Sequence, residues 1–290
     1  MAYPQVEIRN VLITGCSSGI GAAAARILAS RGWTVIPTAR KPDHMDRLRE
    51  MGLCPVHLDL STPESVVHAA RRALEIAGGR LGAIVNNAGY GQPGAMEDLD
   101  REMLRRQFEV NLFGLMELTN FFIPHFIRQG FGRVVNVSSM VGRIALPFMG
   151  AYSASKFALE AVSDAMRVEL NGSGVAVSLI EPGPIATRFG GNARYHLEGL
   201  LVKSDSRFLN FYQRFARSHD EQPARSLFRL PPEAVARKIV HALESRRPRT
   251  RYPVTIPAHL GLALRRLLPD RLLDRLMILY WRRKTGLTAL

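Results

Sequence analysis

The stretch Val11-Leu12-Ile13-Thr14-Gly15-Cys16-Ser17-Ser18-Gly19-Ile20-Gly21 passes from an apolar, β-branched run through a glycine-spaced turn into an alanine-rich helical pattern. At a helix N-terminus the first backbone N–H groups lack intrahelical partners, and the helix dipole favours negative charge there. Glycines leave those groups uncovered, so a phosphate can approach them. Ser17 and Ser18 add hydroxyl donors. Gly15, Gly19, Ile20 and Gly21 complete a candidate phosphate loop.

The same alternation continues outward. Short apolar runs at 11–14, 34–39, 56–58, 83–86, 133–137 and 175–181 read as strands. Helical patterns lie near 19–31, 63–78, 99–129 and 152–171. Strands that are nearly continuously apolar suit a parallel sheet covered on both faces. Right-handed crossovers then predict an α/β, doubly wound, Rossmann-like fold with ligands at the carboxyl ends of the strands. No linker interrupts residues 1–257, which read as one domain. Within it, residues 184–230 break the rhythm and are rich in aromatics; Phe208, Phe211, Tyr212 and Phe215 share one helical face. This segment is expected to be a lid over an apolar ligand, with plain packing on the body as the alternative.

The chain has 290 residues, 47% hydrophobic and 22% charged, an ordinary globular composition with a net charge of +14. Residues 241–290 hold eleven Lys and Arg against three acids, a surplus of eight. Such a patch attracts polyanions, though a solvated basic tail is the plainer reading. Residues 258–290 read as a basic amphipathic extension suited to a membrane surface, to the lid or to a second copy of the chain. Its arginines alternate with leucines rather than stacking aromatics, which argues against nucleic acid. Cys16 and Cys54 do not make a disulfide framework and are both expected to be buried near the sheet. His57, His68, His125, His196, His219, His241 and His259 lack metal-ligand spacing, and His44 reads as part of a polar loop, so no metal is expected. The first ten residues carry no export signal, and no stretch reaches the roughly 18 charge-free apolar residues of a spanning helix. A cytoplasmic setting is expected.

The spacing Thr14-Gly15-x-x-x-Gly19-x-Gly21 resembles the short-chain dehydrogenase/reductase family, and the resemblance runs from about Arg9 to Arg188. It implies that Asp59 and Leu60 meet the adenine and that Asn87, Ala88 and Gly89 support its ribose. It also implies that Pro182, Gly183, Ile185 and Thr187 hold the nicotinamide. After the second strand, where an acid would select NAD, stand Arg40 and Lys41. A guanidinium grips a 2′-phosphate in a bidentate manner, so NADP is the expected cofactor.

Tyr152 and Lys156, four apart on a helix, share a face one turn apart. Ser139 precedes Tyr152 by thirteen residues, as in the family, with Ser138 as the competing serine. Carbonyl reduction leaves charge on oxygen, which a proton donor must meet. Bringing a phenol from a pKa of about 10 to near 7 takes ~4 kcal/mol. One ammonium ~4 Å away at an effective dielectric of ~20 contributes about that much. Tyr152 is therefore expected to be the general acid/base, Lys156 its activator and Ser139 the donor to the substrate oxygen. By resemblance Lys156 also binds the nicotinamide ribose, and Asn111 holds a water in a proton relay; the plainer reading of Asn111 is a polar residue on a partly exposed helix. The runs at 11–19 and 86–91, with a helix at 235–244 and a strand from Arg251, resemble the hydroxysteroid and retinol dehydrogenase branch. That implies interconversion of a ketone or aldehyde and an alcohol on a bulky apolar, steroid-, retinoid- or lipid-like substrate. It further implies a homo-oligomer built on helices 99–129 and 152–171. The competing readings are a non-catalytic NADPH-binding sensor and a basic membrane- or nucleic-acid-associated protein.

Overall fold

The computed structural model describes residues 2–203, 205–218 and 228–285. Seven strands form one parallel sheet in the order β3-β2-β1-β4-β5-β6-β7. They are β1 (Asn10–Ile13), β2 (Thr34–Ala39), β3 (Val56–His57), β4 (Ala83–Asn86), β5 (Gly132–Val137), β6 (Val175–Pro182) and β7 (Arg251–Val254). The chain leaves β1 for β2 and β3 on one side and returns to β4 on the other. The order therefore reverses beside β1, and a crevice opens there beyond the strand ends.

The helices are α1 (Gly19–Ser30), α2 (Pro42–Glu50), α3 (Pro63–Ile76), α4 (Arg101–Phe108), α5 (Gly114–Gln129), α6 (Gly150–Glu169), α7 (Phe189–Asn192), α8 (Glu198–Leu201), α9 (Leu209–Ser218), α10 (Pro232–Glu244), α11 (Ile256–Leu267) and α12 (Asp270–Thr285). One face of the sheet packs on Ala23, Ala24 and Leu28 of α1 and on Val235, Ile239 and Leu243 of α10. The other packs on Ala69 and Ala73 of α3, Leu118, Phe122 and Phe126 of α5, and Met166 of α6. Every residue of β1, β4, β5 and β6 is buried, which is why these strands read as nearly continuous apolar runs.

Three local expectations are corrected. His44 lies in α2, not in a loop; Pro42 opens that helix and its apolar face is only Met45 and Leu48, too thin to read as a period. Cys54 is exposed, because the turn before β3 carries it outward, whereas Cys16 is buried. The single helix expected over 99–129 is α4 and α5 joined by a π-helical turn at Glu109–Phe113. Of the expected lid, Ser204 and residues 219–227, with His219, lie outside the described residues. So does the end of the C-terminal extension.

Candidate active site

The glycine turn is stitched to the end of β4. Thr14 Oγ1 accepts from the N–H groups of Asn87 and Ala88, both at 2.9 Å. Asn87 Nδ2 donates to the carbonyls of Thr14 (2.9 Å) and Gly15 (3.1 Å). Gly15 takes φ +73°, and a Cβ there would lie 2.9 Å from Ala88 Cα. Ser18 caps α1 without a side-chain bond to it, and its first turn carries no acid. Ser17 is exposed, while Ile20 turns into the core. The Pro182–Thr187 turn folds back onto this loop: a Cβ on Gly19 would meet Thr187 Cγ2 at 3.1 Å. Ile185 pairs with Leu230, and Gly183 packs against Thr255. A helix N-terminus bared by glycine and roofed by Thr187 fits a dinucleotide pyrophosphate.

Arg40 follows β2 with its side chain 63% exposed, 3.8 Å from the Asp59 carboxylate. Lys41, also exposed, is the N-cap of α2. Burial works to raise the Asp59 pKa, but two hydrogen bonds from Ser61 outweigh it, with Arg40 and His57 helping, and the carboxyl is held low. The Leu60 side chain belongs to the core, so only its backbone can face the crevice.

The reacting candidates converge at the ends of β5 and β6. Tyr152 and Lys156 are both buried on the first turns of α6. Lys156 Nζ donates to Val137 O at 2.9 Å and lies 5.9 Å from the Tyr152 ring centroid. Ser139 Oγ reaches Pro182 O at 3.3 Å. Burial pushes the Tyr152 phenol up to about 12, and a hydrogen bond with Ser139 pulls it part of the way back. Burial draws Lys156 down to about 8, against the pull of the Glu160 carboxyl. In this geometry, then, burial rather than the ammonium sets the state of the phenol, contrary to the expectation that Lys156 alone brings it near neutrality. Of the two serines, Ser138 turns inward to Glu160 and Ser139 faces the tyrosine.

Asn111 is fully buried within the π turn, not on a partly exposed face. Its amide donates to Tyr90 O (2.9 Å) and Ser155 Oγ (3.1 Å) and accepts from Tyr90 N (3.1 Å). A Cβ on Gly89 would lie 2.9 Å from Asn111 Oδ1 and 3.8 Å from Lys156 Nζ, so Gly89 keeps these two groups in one pocket. Phe189 covers the tyrosine, ring centroids 5.4 Å apart. Among the described residues no group of His, Cys, Asp and Glu is arranged to hold a metal. Cys16 is no nucleophile: burial raises its thiol to about 12.

The family profile described as short chain dehydrogenase matches residues 9–197. The chain belongs to the short-chain dehydrogenase family. It is 43% identical to the uncharacterized oxidoreductase YbbO of Escherichia coli (strain K12), over 94% of this chain and 95% of that one. It is 37% identical to 17-beta-hydroxysteroid dehydrogenase type 1 of Homo sapiens (84% and 77%) and 33% identical to the NADPH-dependent 3-dehydrocapnine reductase of Ornithobacterium rhinotracheale (93% and 96%). Among solved structures, a short chain dehydrogenase from Burkholderia cenocepacia in complex with NADP superposes with TM-score 0.73 at 25% identity, covering 94% of this chain and 99% of that one. One from Burkholderia phymatum in complex with NAD gives 0.74 at 27% (91% and 94%). Membership makes this chain an oxidoreductase that uses NAD or NADP and resembles the hydroxysteroid and retinol branch.

One feature of this short-chain dehydrogenase escaped the sequence reading. Beneath Lys156, Glu160 and the fully buried Glu181 share Arg251, whose Nε lies 3.1 Å from Glu160 and 3.3 Å from Glu181. Asp164 takes the other arm of Arg251 at 2.6 Å, and Arg143 reaches Glu181 at 3.5 Å. The acid four residues after Lys156 was the available signal. Burial raises Glu160 from 4.5 to about 7, with Glu181 adding to the rise and Ser138 and Arg251 opposing it. The folded chain thus holds this proton more tightly than the unfolded one. Stability from this group is full below the unfolded value and is lost as pH rises through about 7. Glu160→Gln, which cannot titrate, is expected to flatten that loss by up to ~3 kcal/mol. Urea midpoints taken across this pH range measure it, and an unchanged slope rejects it.

Proposed function

We propose that the chain is an NADP(H)-dependent reductase or dehydrogenase acting on CH–OH groups and their carbonyls in bulky apolar compounds, steroid-, retinoid- or lipid-like. The observation that carries this reading is the buried cluster of Tyr152, Lys156 and Ser139 at the strand ends beside the bared α1 terminus. A bound nicotinamide dinucleotide supplies or accepts the hydride. Tyr152, protonated at neutral pH because it is buried, gives its proton to the carbonyl oxygen in reduction and takes it back in oxidation. Ser139 donates a hydrogen bond to that oxygen as charge develops. Lys156 holds the nicotinamide ribose and stabilises the phenolate left after proton transfer. Asn111, tied to the Tyr90 backbone, keeps the pocket behind Lys156 polar for a relay water.

We assign the pyrophosphate to Gly15, Ser17, Ser18, Gly19, Ile20 and Gly21 and the adenosine to Asp59, Leu60, Asn87, Ala88 and Gly89. The nicotinamide goes to Pro182, Gly183, Ile185 and Thr187, and the 2′-phosphate to Arg40 and Lys41. We take residues 1–257 as the catalytic body, 184–230 as its lid and 258–290 as an appended helical segment. Phe189 over Tyr152, and the cluster of Phe148, Phe208, Phe211 and Tyr212, support an apolar lid. Exposed Phe113 and Phe157 lie on the helical surface assigned to a contact between copies.

The test follows absorbance of NADPH, and of NADH for comparison, against hydrophobic ketones and alcohols. Turnover with NADPH is expected, and none across steroids, retinoids and long-chain carbonyls rejects the substrate class. Arg40→Asp is expected to weaken NADPH by roughly ten- to a hundredfold, the worth of one or two charge-assisted bonds, and to favour NADH. An unchanged ratio of kcat/KM for the two dinucleotides removes Arg40 from its assignment.

A further inference from the structure

The last two helices carry more apolar surface than the body of the protein covers. On α12, Leu273, Met277 and Trp281 recur at i, i+4, i+8 and turn inward; the Trp281 ring lies 5.8 Å from that of Phe148 in the aromatic cluster. Beside this face, around the helix, Leu272, Leu276, Leu279 and Tyr280 form an outer stripe, each between 42% and 56% exposed. α11 repeats the pattern. Its Ala258 packs toward Gly183 and its Gly261 toward Ile144 and Met140. Ile256, Leu260 and Leu267, at i, i+4, i+11, face outward, with Leu267 77% exposed. An amphipathic helix needs one apolar face to dock on its own protein. Apolar surface left exposed beyond that face, continued over two helices, marks a contact with something else.

Charge identifies the partner. Arg271 and Arg275 run along one edge of the α12 stripe, and Arg266 holds the same position on α11. Arg283 closes a shallow groove lined by Leu276, Leu279 and Tyr280. Residues 258–290 hold seven Lys and Arg against two acids, a surplus of five. A second copy would bring the same cations against themselves across a two-fold axis, at an electrostatic cost. An anionic bilayer instead neutralises them. Among the described residues no helix is long and apolar enough to cross a membrane, so the contact lies in the membrane plane.

We propose that α11 and α12 lay their outer stripes on an anionic lipid surface, leucines at the acyl boundary and arginines among the headgroups. This does not rest on the redox reading, since lipid binding is measured without turnover. The test sediments the full chain with phosphatidylcholine vesicles, with and without phosphatidylglycerol. At least about tenfold more protein is expected on the anionic vesicles, falling as salt is added. Leu276→Ser with Leu279→Ser is expected to lower that binding about tenfold or more without shifting the melting temperature. Arg271→Glu with Arg275→Glu is expected to erase the preference for anionic lipid. Wild-type protein left in the supernatant, or serine variants that bind equally well, overturns the proposal. So does a fall in particle size of the serine variant in lipid-free solution, which would assign the stripe to a second copy.

Discussion

Tyr152→Phe is expected to bind NADPH as the wild type does and to lose two to four orders of magnitude in kcat, the usual worth of a positioned general acid. The change removes one oxygen from a ring whose packing is otherwise kept: the phenyl face still meets Phe189, and Lys156 keeps its bond to Val137 O. The missing atom is the one held by Ser139, the proton source assigned to the carbonyl oxygen. A companion expectation concerns pH. The phenol, raised to about 12, stays protonated through neutrality, whereas Lys156, lowered to about 8, discharges first. Reduction should therefore hold steady below about pH 8 and decline above it as the ammonium is lost. Cofactor fluorescence titration and steady-state rates of the two proteins measure both halves. Retained turnover in the phenylalanine variant would remove Tyr152 from the mechanism.

The body of the fold was legible because its signals are local and mutually consistent. Buried parallel strands leave no room for polar alternation, so Val134–Val135 and Ile84–Val85 announce themselves. What stayed hidden is what sequence period does not encode. The π turn at Glu109–Phe113 adds a residue to a helical turn without changing composition, and it turns Asn111 inward. α2 was missed because a nine-residue helix with two buried side chains has almost no apolar face.

The site divides in the same way. The glycine loop, Ser139, Tyr152 and Lys156 could be singled out as candidates because each group follows a fixed spacing along one or two elements, and the fold brings them to the same end of the sheet. The Glu160–Glu181–Arg251 cluster draws on α6, β6 and β7, so tertiary proximity alone assembles it. The electrostatics were misjudged for a related reason. Spacing places Lys156 beside Tyr152 but says nothing of how dry the pocket is, and for a phenol and an ammonium both almost wholly buried, desolvation is the largest effect.

Gly21→Ala sets two physical effects against each other. Gly21 lies in the first turn of α1 and has no positive φ, so helix propensity alone favours alanine by about 1 kcal/mol. Space says the opposite. A Cβ at Gly21 would overlap the Gly15 carbonyl oxygen and lie 2.6 Å from Asn87 Nδ2. The carbonyl cannot retreat freely, because Asn87 Nδ2 holds it and Gly15 itself abuts Ala88. Relief means giving up bonds of Asn87 to the loop, ~1 kcal/mol each, on top of ~1–3 kcal/mol of overpacking. The steric effect wins: a net loss of ~2–3 kcal/mol is expected, a fall in melting temperature of roughly 3–5 °C for a chain of this length. The loop that moves is the one assigned to the pyrophosphate, so NADPH affinity should drop at least about tenfold with it. Gly32→Ala is the control. It takes φ +79° with nothing near its missing Cβ, so it carries backbone strain of ~1 kcal/mol and should leave NADPH binding untouched. A Gly21→Ala protein as stable as the wild type and equally tight for NADPH would show that the turn yields, and that its close packing does not shape the phosphate loop.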